Sequence, residues 1–147
     1  MSRTPAWSML KPGSRGTLEA AFPMSHILIA DDDAVQLDLH KTLIEQLGHK
    51  VSTAFTTRQT VRVLQNRTAD LIIIDLRFPN SEGESDSREG LALIRRIREL
   101  GCQTPLLVLS GWPADLDGMP EAQLVNRVMC KPVKSAELMQ TIREMIA

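Results

Sequence analysis

The sequence predicts a doubly wound α/β domain built on a parallel β-sheet, and two observations lead to this fold class. First, three short runs are continuously apolar, which is typical of strands covered on both faces. Second, these runs alternate with segments whose apolar residues recur at helical spacing, and such alternation implies right-handed crossovers between parallel strands. The three runs are residues 27–30, 71–74 and 106–109.

Two helices and the second strand follow the first apolar run. Apolar residues at helical spacing in residues 34–47 predict the first helix, and Gly48 ends it as a C-terminal capping glycine. Alternation in residues 51–55 predicts the second strand. Thr57 is expected to cap a second helix, whose apolar face includes residues 61–64.

The second half of the domain follows the same alternation and has one weaker helix. Apolar residues in 91–97 predict the third helix, which Gly101 closes, and Ser135 is expected to cap the last helix. Residues 125–129 predict a weak fifth strand. The fourth helix, within residues 114–124, is expected to be short or irregular and poorly tied down, because a glycine and a proline interrupt it.

Residues 1–24 differ from the folded part, 25–147, and are expected to be a disordered extension. They contain prolines, glycines and hydroxyl residues with no hydrophobic period. Their apolar stretches are too short for a secretory signal. Translation that begins at Met24 rather than Met1 is an alternative explanation of this segment.

The composition argues against several classes of function. The net charge of -1 disfavours non-specific nucleic-acid binding, and an aromatic content of 3% without tyrosine disfavours a base-stacking platform. No apolar run approaches the roughly 20 residues that cross a bilayer. Cys102 and Cys130 cannot build a disulfide scaffold and fit the reducing cytoplasm, which is the expected location.

Four of the five predicted strands end at polar side chains, and ligands bind at this carboxyl edge of doubly wound sheets. Taken singly, each group has a simpler explanation, since aspartates cap helices and Ser-Gly or Lys-Pro pairs form plain turns. Their joint position at strand ends is poorly explained in that way. The side chains are Asp31, Asp32 and Asp33 after the first strand, Asp75 after the third, Ser110 after the fourth and Lys131 after the fifth.

Charge at this edge predicts a cation site. Asp31, Asp32 and Asp75 against Lys131 sum to a formal charge of -2. Two like charges about 4 Å apart repel by about 4 kcal/mol at an effective dielectric constant of about 20, so such a cluster takes up protons or binds a cation. Because its ligand atoms are all oxygens, Mg²⁺ is expected, and a carboxylate beside a metal and a lysine suits phosphoryl transfer.

Together these residues resemble the receiver domain of bacterial two-component response regulators, and the resemblance covers residues 26–147. It implies a flavodoxin-like fold of five β-α units, (βα)5, with strand order 2-1-3-4-5. It also implies a phosphoacceptor that assists its own phosphorylation and dephosphorylation, rather than an enzyme. The features are the acidic pair Asp31 and Asp32, the acceptor-like Asp75, Pro79 four residues further on, the pair Ser110 and Gly111, and the pair Lys131 and Pro132.

The resemblance assigns roles around the acceptor. Asp75 is similar to the aspartate that takes a phosphoryl group from a histidine kinase or phosphotransfer protein. Asp32 resembles the direct Mg²⁺ ligand and Asp31 the ligand that acts largely through water. Arg77 would offer its backbone carbonyl to the metal, so its side chain is not constrained by that role.

The resemblance also implies a switch. Lys131 would bind a phosphoryl oxygen, and its peptide bond to Pro132 is expected to be cis. Ser110 would close on the phosphoryl group and draw the loop after the fourth strand inward. Arg77 and Trp112 form a large pair at positions that often tune the lifetime of the phosphorylated form in this family.

Two features depart from the family pattern. Most relatives have a glycine eight residues after the acceptor that opens the third helix; Gly83 stands there, but the helical pattern begins only after Gly90. We therefore expect Pro79 to Glu89 to form an enlarged, solvated and mobile loop. The aromatic residue usual three positions before the lysine is replaced by Val128.

The predicted function is a two-component phosphoacceptor that signals to a downstream protein by a conformational change, with no direct binding to nucleic acid or membrane. The faces of the predicted fourth and fifth helices offer a route to a homodimer. The chain would act alone or as part of a longer protein. One alternative is a pseudo-receiver that binds partners without phosphorylation, which Arg77 and Val128 permit. Another is a phosphohydrolase of the haloacid dehalogenase type, whose motif needs a hydroxyl residue that the segment 31–34 lacks.

Overall fold

The computed structural model describes residues 25–147 and places seven β-strands in them. Five of these strands form one sheet, in which every neighbouring pair is parallel. The extension predicted for residues 1–24 and a start at Met24 lie outside the described residues. In chain order the strands are β1 (His26–Ala30), β2 (Lys50–Ala54), β3 (Leu71–Ile74), β4 (Phe78–Pro79), β5 (Ser85–Asp86), β6 (Leu106–Ser110) and β7 (Arg127–Cys130).

The sheet order is β2-β1-β3-β6-β7, while β4 and β5 pair with each other. Within residues 25–147, four α-helices accompany the strands, and two 3₁₀ helices connect β6 to β7. The parallel five-stranded sheet is confirmed, but the count of five β-α units is not, because a hairpin is inserted after β3 and the fourth crossover contains no α-helix. The helices are α1 (Ala34–Glu45), α2 (Thr57–Asn66), α3 (Ser87–Glu99) and α4 (Ser135–Ile146), and the 3₁₀ helices are Pro113–Leu116 and Pro120–Leu124.

Both faces of the sheet are covered, as the continuous apolar runs predict. On one face, Ile74 belongs to a cluster of buried side chains with Ile94 of α3 and Leu116 of the first 3₁₀ helix. On the other face, Ile73 shares a second cluster with Ile142 of α4 and with side chains of α1. Each such side chain contributes about 1.5–3 kcal/mol by burial, so the strand bodies are rigid supports for the residues at their ends.

Helix starts differ from the sequence prediction, because the capping side chains lie elsewhere. Thr56, not Thr57, caps α2 through the amide of the third helical residue. The carboxylate of Asp86 caps α3 by accepting the amide of Arg88 at 2.9 Å, so this helix begins before Gly90 rather than after it. Within the described residues α4 has no side-chain cap, and the predicted cap is its first helical residue.

The segment Pro79 to Glu89, predicted as a mobile loop, instead forms a β-hairpin that leads directly into α3. β4 and β5 pair antiparallel, and the amide of Asn80 donates to the carbonyl of Glu84 at 2.8 Å. The side-chain oxygen of Asn80 accepts the amides of Glu82 and Glu84. Gly83 takes the positive φ of 79° that closes the turn. Hydrogen bonds within the segment therefore hold its turn, and the prediction of a mobile loop is wrong.

Gly90, and not Gly83, is the glycine that the packing of α3 requires. A Cβ atom on Gly90 would lie 2.0 Å from the carbonyl oxygen of Leu76. No side chain fits at that distance, so only glycine lets α3 approach the backbone that follows Asp75. Gly90 thereby places the start of α3 against the predicted site.

The connection between β6 and β7 is irregular, as predicted, but two arginines of α3 tie it down. The guanidinium of Arg98 donates to the carbonyl of Leu124 at 2.9 Å and to the carbonyl of Thr104 at 2.7 Å. Arg95 forms an ion pair with the buried carboxylate of Glu121. The expectation of a poorly attached segment is therefore wrong, because long side chains from a neighbouring helix satisfy it.

Within residues 25–147, no helix combines the length and apolarity that crossing a membrane needs. Cys102 lies half-buried before β6, and Cys130 lies exposed at the end of β7. Both are free thiols in the described part of the chain.

Candidate functional site

The carboxyl edge of the sheet brings together three of the predicted aspartates. Asp31 follows β1 and Asp75 follows β3, and the amide of Asp75 donates to the carbonyl of Ala30 at 3.0 Å, so strand pairing continues into the site. One carboxylate oxygen from each of Asp31, Asp32 and Asp75 lies within 4.8 Å of the other two. Asp31 and Asp75 are buried, with 4% and 9% of their surface exposed, whereas Asp32 is exposed.

Lys131, directly after β7, places a positive charge against two of these carboxylates. Its Nζ donates to Oδ2 of Asp31 at 2.7 Å and to Oδ2 of Asp75 at 3.2 Å. The amide of Lys131 donates to the carbonyl of Ser110 at 2.9 Å, which holds the lysine beside the end of β6. The peptide bond to Pro132 is cis, as the sequence resemblance implies.

Each buried aspartate gives one oxygen to the backbone and the other to the lysine. Oδ1 of Asp31 accepts the amide of Asp33 at 2.9 Å. Oδ1 of Asp75 accepts the amide of Leu76 at 2.7 Å and, at 3.4 Å, that of Arg77. These backbone donors fix both carboxylates, so the Oδ2 atoms face a common point.

Asp33, the third member of the acidic run, belongs to the helix rather than to the site. Its carboxylate accepts the amides of Val35 at 3.1 Å and Gln36 at 3.2 Å, and it thereby caps α1. The capping explanation is therefore correct for Asp33. It does not describe Asp31 or Asp32, which lie with the acceptor-like aspartate.

The crowding of charges raises two pKa values. Desolvation raises the pKa of Asp32, and the negative charges of Asp31 and Asp75 raise it further. For Lys131, burial alone would lower the pKa, but the hydrogen bond and charge of Asp31, together with the charge of Asp75, outweigh that effect and raise it. The lysine therefore stays protonated, and the negative charge of Asp32 is disfavoured by its acidic neighbours.

The donor set fits a hard divalent cation. All three clustered side chains offer carboxylate oxygens, which is the ligand chemistry that Mg²⁺ prefers. With three aspartates and one lysine, the formal charge is -2, which one divalent cation neutralises. The role expected for the backbone carbonyl of Arg77 stays a prediction.

Ser110, the predicted switch residue, is completely buried at the end of β6. Its hydroxyl oxygen accepts the backbone amide of Trp112 at 3.0 Å. Among residues 25–147 the Ser110 hydroxyl donates no hydrogen bond, so its proton is available to another acceptor. The serine thus connects the edge of the site to the start of the irregular β6–β7 connection.

A contact that the sequence did not reveal involves Arg77, which lies two residues after Asp75. The Arg77 guanidinium stacks 3.9 Å from the centre of the Trp112 ring, and its Nε donates to Oδ2 of Asp115 at 2.9 Å. The sequence resemblance indicates Arg77 and Trp112 as a large pair, but it does not indicate Asp115. No short-range pattern pointed to Asp115, which lies 38 residues from its partner. These three side chains link the loop after β3 to the connection after β6.

Fold and site together define a class of protein: a doubly wound domain with an acidic cluster and one lysine at the carboxyl edge of its sheet. The model of the response regulator receiver domain family matches residues 27–143. The chain belongs to this family, the receiver domains of two-component systems.

The curated relatives that match this chain are longer proteins. The chain is 30% identical, over 83% of its length and 51% of the relative's, to the transcriptional regulatory protein AfsQ1 of Streptomyces coelicolor. It is 28% identical, over 98% of its length and 16% of the relative's, to the autoinducer 1 sensor kinase/phosphatase LuxN of Vibrio campbellii. The chain thus spans about half of the first relative, at 51%, and a smaller part of the second, at 16%.

Solved structures show the same fold. A response regulator receiver domain from Methylobacillus flagellatus superposes with a TM-score of 0.71 at 24% identity, over 84% of this chain and 99% of that one. The response regulator protein TrrA of Thermotoga maritima, solved in complex with Mg²⁺ and BeF, superposes with a TM-score of 0.71 at 19% identity, over 83% and 99% of the two chains. At these identities the likeness concerns the fold.

Proposed function

We propose that this chain is a phosphoacceptor that takes a phosphoryl group onto Asp75 from a histidine kinase or a phosphotransfer protein. The observation that carries the proposal is the shared contact of Lys131 Nζ with Asp31 and Asp75, at 2.7 and 3.2 Å, beside a third carboxylate. A structural ion pair would need one carboxylate. Three carboxylates around one lysine leave negative charge that suits a metal and a phosphoryl group.

Oδ2 of Asp75 is the nucleophile in this proposal. Oδ1 accepts the amide of Leu76, whereas Oδ2 faces Lys131. The Oδ2–phosphorus bond forms as the nitrogen–phosphorus bond of a donor phosphohistidine breaks. Lys131 then pairs with a phosphoryl oxygen, and the Ser110 hydroxyl has a free proton to donate to another. Hydrolysis of the acyl phosphate by water restores the carboxylate and releases inorganic phosphate.

Mg²⁺ is the proposed cofactor, held by Asp31, Asp32 and Asp75 with the backbone carbonyl of Arg77. When bound, it neutralises charge on the phosphoryl oxygens. The cluster of three carboxylates supports this assignment, as does the Mg²⁺–BeF complex of the Thermotoga relative. The chain's own groups orient the acceptor, and in this proposal they assist both phosphorylation and dephosphorylation without making the chain an enzyme.

The proposed partners are a phosphohistidine donor and a downstream protein, in the cytoplasm. A relative that is named as a sensor kinase/phosphatase supports the donor class.

A homodimer was expected through the faces of the predicted fourth and fifth helices. Two 3₁₀ helices stand where the fourth helix was predicted, so the surface available for such a dimer is different. The connection after β6 and strand β7 expose Trp112, Met119 and Val128. Sedimentation with and without beryllofluoride tests dimer formation through this surface.

Acetyl phosphate with Mg²⁺, followed by intact mass, tests the proposal. We expect the mass of one phosphoryl group on the native chain and none on Asp75→Asn. Asp117→Asn, which removes an exposed aspartate of the β6–β7 connection, is the matched control and should label normally. Undiminished labelling of Asp75→Asn would show that another residue is the acceptor.

Labelling with acetyl phosphate also distinguishes the phosphoacceptor from the pseudo-receiver. Val128 and Arg77 depart from the family pattern, and the Arg77 guanidinium lies over the Trp112 ring. A native chain that takes no phosphoryl group from acetyl phosphate or a phosphohistidine donor, and that binds no beryllofluoride, would favour an interaction module. The complete set of acceptor, acidic pair, hydroxyl and lysine supports the phosphoacceptor instead.

A further inference from the structure

A groove of about 390 Å³ lies between α2 and α3, on the face of the sheet opposite α1 and α4. Three arginines line it, Arg58 and Arg62 from α2 and Arg96 from α3. Glu89 contributes the one carboxylate of the lining, so three guanidiniums and one carboxylate leave a formal charge of +2. The chain as a whole has a net charge of -1, so positive charge is concentrated here.

These three arginines differ from most other arginines of the domain, although Arg67 likewise has no side-chain partner among residues 25–147. Arg58, Arg62 and Arg96 form no side-chain hydrogen bond or ion pair with any of residues 25–147. An arginine that stabilises the fold has an acceptor within it, as Arg98 has in the carbonyl of Leu124. The arginines with a carboxylate partner are Arg77, Arg88, Arg95 and Arg127.

The shape of the groove limits what it can hold. α2 and α3 are both crossovers of a parallel sheet, so they run in the same direction and the groove extends along them. Its lining on α2 extends from Thr57 to Gln65, which is about 12 Å at about 1.5 Å per residue. At about 3.3 Å per residue, this length takes about four residues of an extended peptide.

The floor of the groove is apolar between the arginines. Val61 of α2 and Ala92 and Leu93 of α3 belong to the lining. A ligand that matches both the floor and the rim carries apolar groups between its negative charges. An acidic peptide with interleaved aliphatic side chains has this pattern, whereas a nucleic-acid backbone presents phosphates without apolar groups between them.

We propose that the α2–α3 groove binds an acidic segment of a partner protein, whose carboxylates pair with Arg58, Arg62 and Arg96 while its aliphatic side chains cover Val61 and Leu93. A guanidinium group binds a carboxylate through two parallel hydrogen bonds. The contact therefore has a defined geometry in addition to the attraction between charges. The groove lies outside the carboxylate cluster, so this contact is a second interaction surface beside the phosphoacceptor site.

Fluorescence polarisation with the fluorescein-labelled peptide ELEELE tests the proposal on the unphosphorylated chain. We expect saturable binding that weakens with added salt, because exposed charges are screened beyond about 8 Å at physiological ionic strength. The double variant Arg62→Gln, Arg96→Gln should weaken binding by about tenfold or more. Arg143→Gln, which removes one exposed arginine from α4, is the control and should change affinity by less than about twofold.

Three outcomes would overturn the proposal. They are no saturable binding of the peptide, equal loss in the Arg143→Gln control, and tighter binding of a labelled DNA duplex that the double variant abolishes, since the last would identify a nucleic-acid surface. Thermal melting of the double variant should match the native chain, because both arginines are exposed and unpaired within residues 25–147. Asp75→Asn should bind the peptide normally, so failure here is distinct from failure of the phosphoacceptor proposal.

Discussion

Three aspartates of one site occupy three different environments, and these environments separate their roles. Asp75 is buried, and the amide of Leu76 fixes its Oδ1. Asp31 is buried beside Lys131 at 2.7 Å. Asp32 is exposed and has a raised pKa, because desolvation and its acidic neighbours disfavour its charge. The buried pair is therefore fixed in place, and a bound cation would relieve the repulsion on Asp32.

His49 is expected to make the stability of the folded state depend on pH. Burial lowers its pKa, an effect that the charge of Asp70 only partly opposes, and its Nδ1 has no hydrogen-bond partner among residues 25–147. Because the folded pKa lies below the unfolded value of about 6.5, the folded state binds fewer protons, and stability falls as the pH drops through that value. Thermal melting at pH 7.5 and pH 5.5 measures the loss, and His49→Leu should reduce it. An identical loss in the variant would contradict this account.

At the scale of elements, α3 is positioned by the absence of one side chain. Gly90→Ala adds a Cβ atom that would lie 2.0 Å from the Leu76 carbonyl oxygen. Alanine favours a helix over glycine by about 1 kcal/mol, but overpacking costs about 1–3 kcal/mol and a contact this close lies at the upper end. We expect Gly90→Ala to lower the urea midpoint and to slow phosphorylation, because Leu76 follows the acceptor. Gly111→Ala, where nothing lies within 4 Å of the added atom, is the stability control.

The connection after β6 should report activation. If the Ser110 hydroxyl turns to a phosphoryl group, its hydrogen bond from the Trp112 amide weakens, and the ring shifts relative to the Arg77 guanidinium 3.9 Å away. Trp112 is 51% exposed, whereas Val128 is too small to take the part of a switching aromatic. In a Trp7→Phe background, which leaves one tryptophan, fluorescence should change on adding beryllofluoride and Mg²⁺.

Ser110→Ala is the control for that experiment and should abolish most of the fluorescence change. A silent Trp112 together with strong amide shifts around Val128 would show that the switch uses β7 instead. Both variants keep the arginines that tie the connection to α3, so its attachment is unchanged.

At the scale of the whole molecule, the acidic cluster couples cation binding to folding. Mg²⁺ that binds only the folded state adds about 2.7 kcal/mol at a hundredfold excess over its dissociation constant. We therefore expect millimolar Mg²⁺ to raise the melting temperature of the native chain. Asp32→Asn should lose most of that rise, whereas Asp38→Asn, an exposed aspartate of α1, should keep it. A melting temperature indifferent to Mg²⁺ would count against the cofactor proposal.

The sequence predicted the sheet and the site for the same reason. A strand covered on both faces needs an uninterrupted apolar run, and its end is marked by the first polar residue, so the runs at 71–74 and 106–109 locate both a strand and a site residue. Asp31, Asp75 and Lys131 are brought together because parallel strands place their carboxyl ends at one edge. Local signals determine these features, and the structure places them where the sequence indicates.

Tertiary structure decided the features that depend on distant partners. The hairpin at β4 and β5 and the early start of α3 are not among them, since Asn80 and Asp86 make contacts only two to four residues away, which the hydrophobic period does not reveal. The connection after β6 is held by Arg98, whose partner Leu124 lies 26 residues away. The hydrophobic period carries no information about such contacts. It predicts that a charged side chain on a helix is exposed to solvent, whether or not the folded chain supplies a hydrogen-bond acceptor. By itself, therefore, the sequence determined the strands and the charges at their ends, and only the folded chain decided how the segments between them are held.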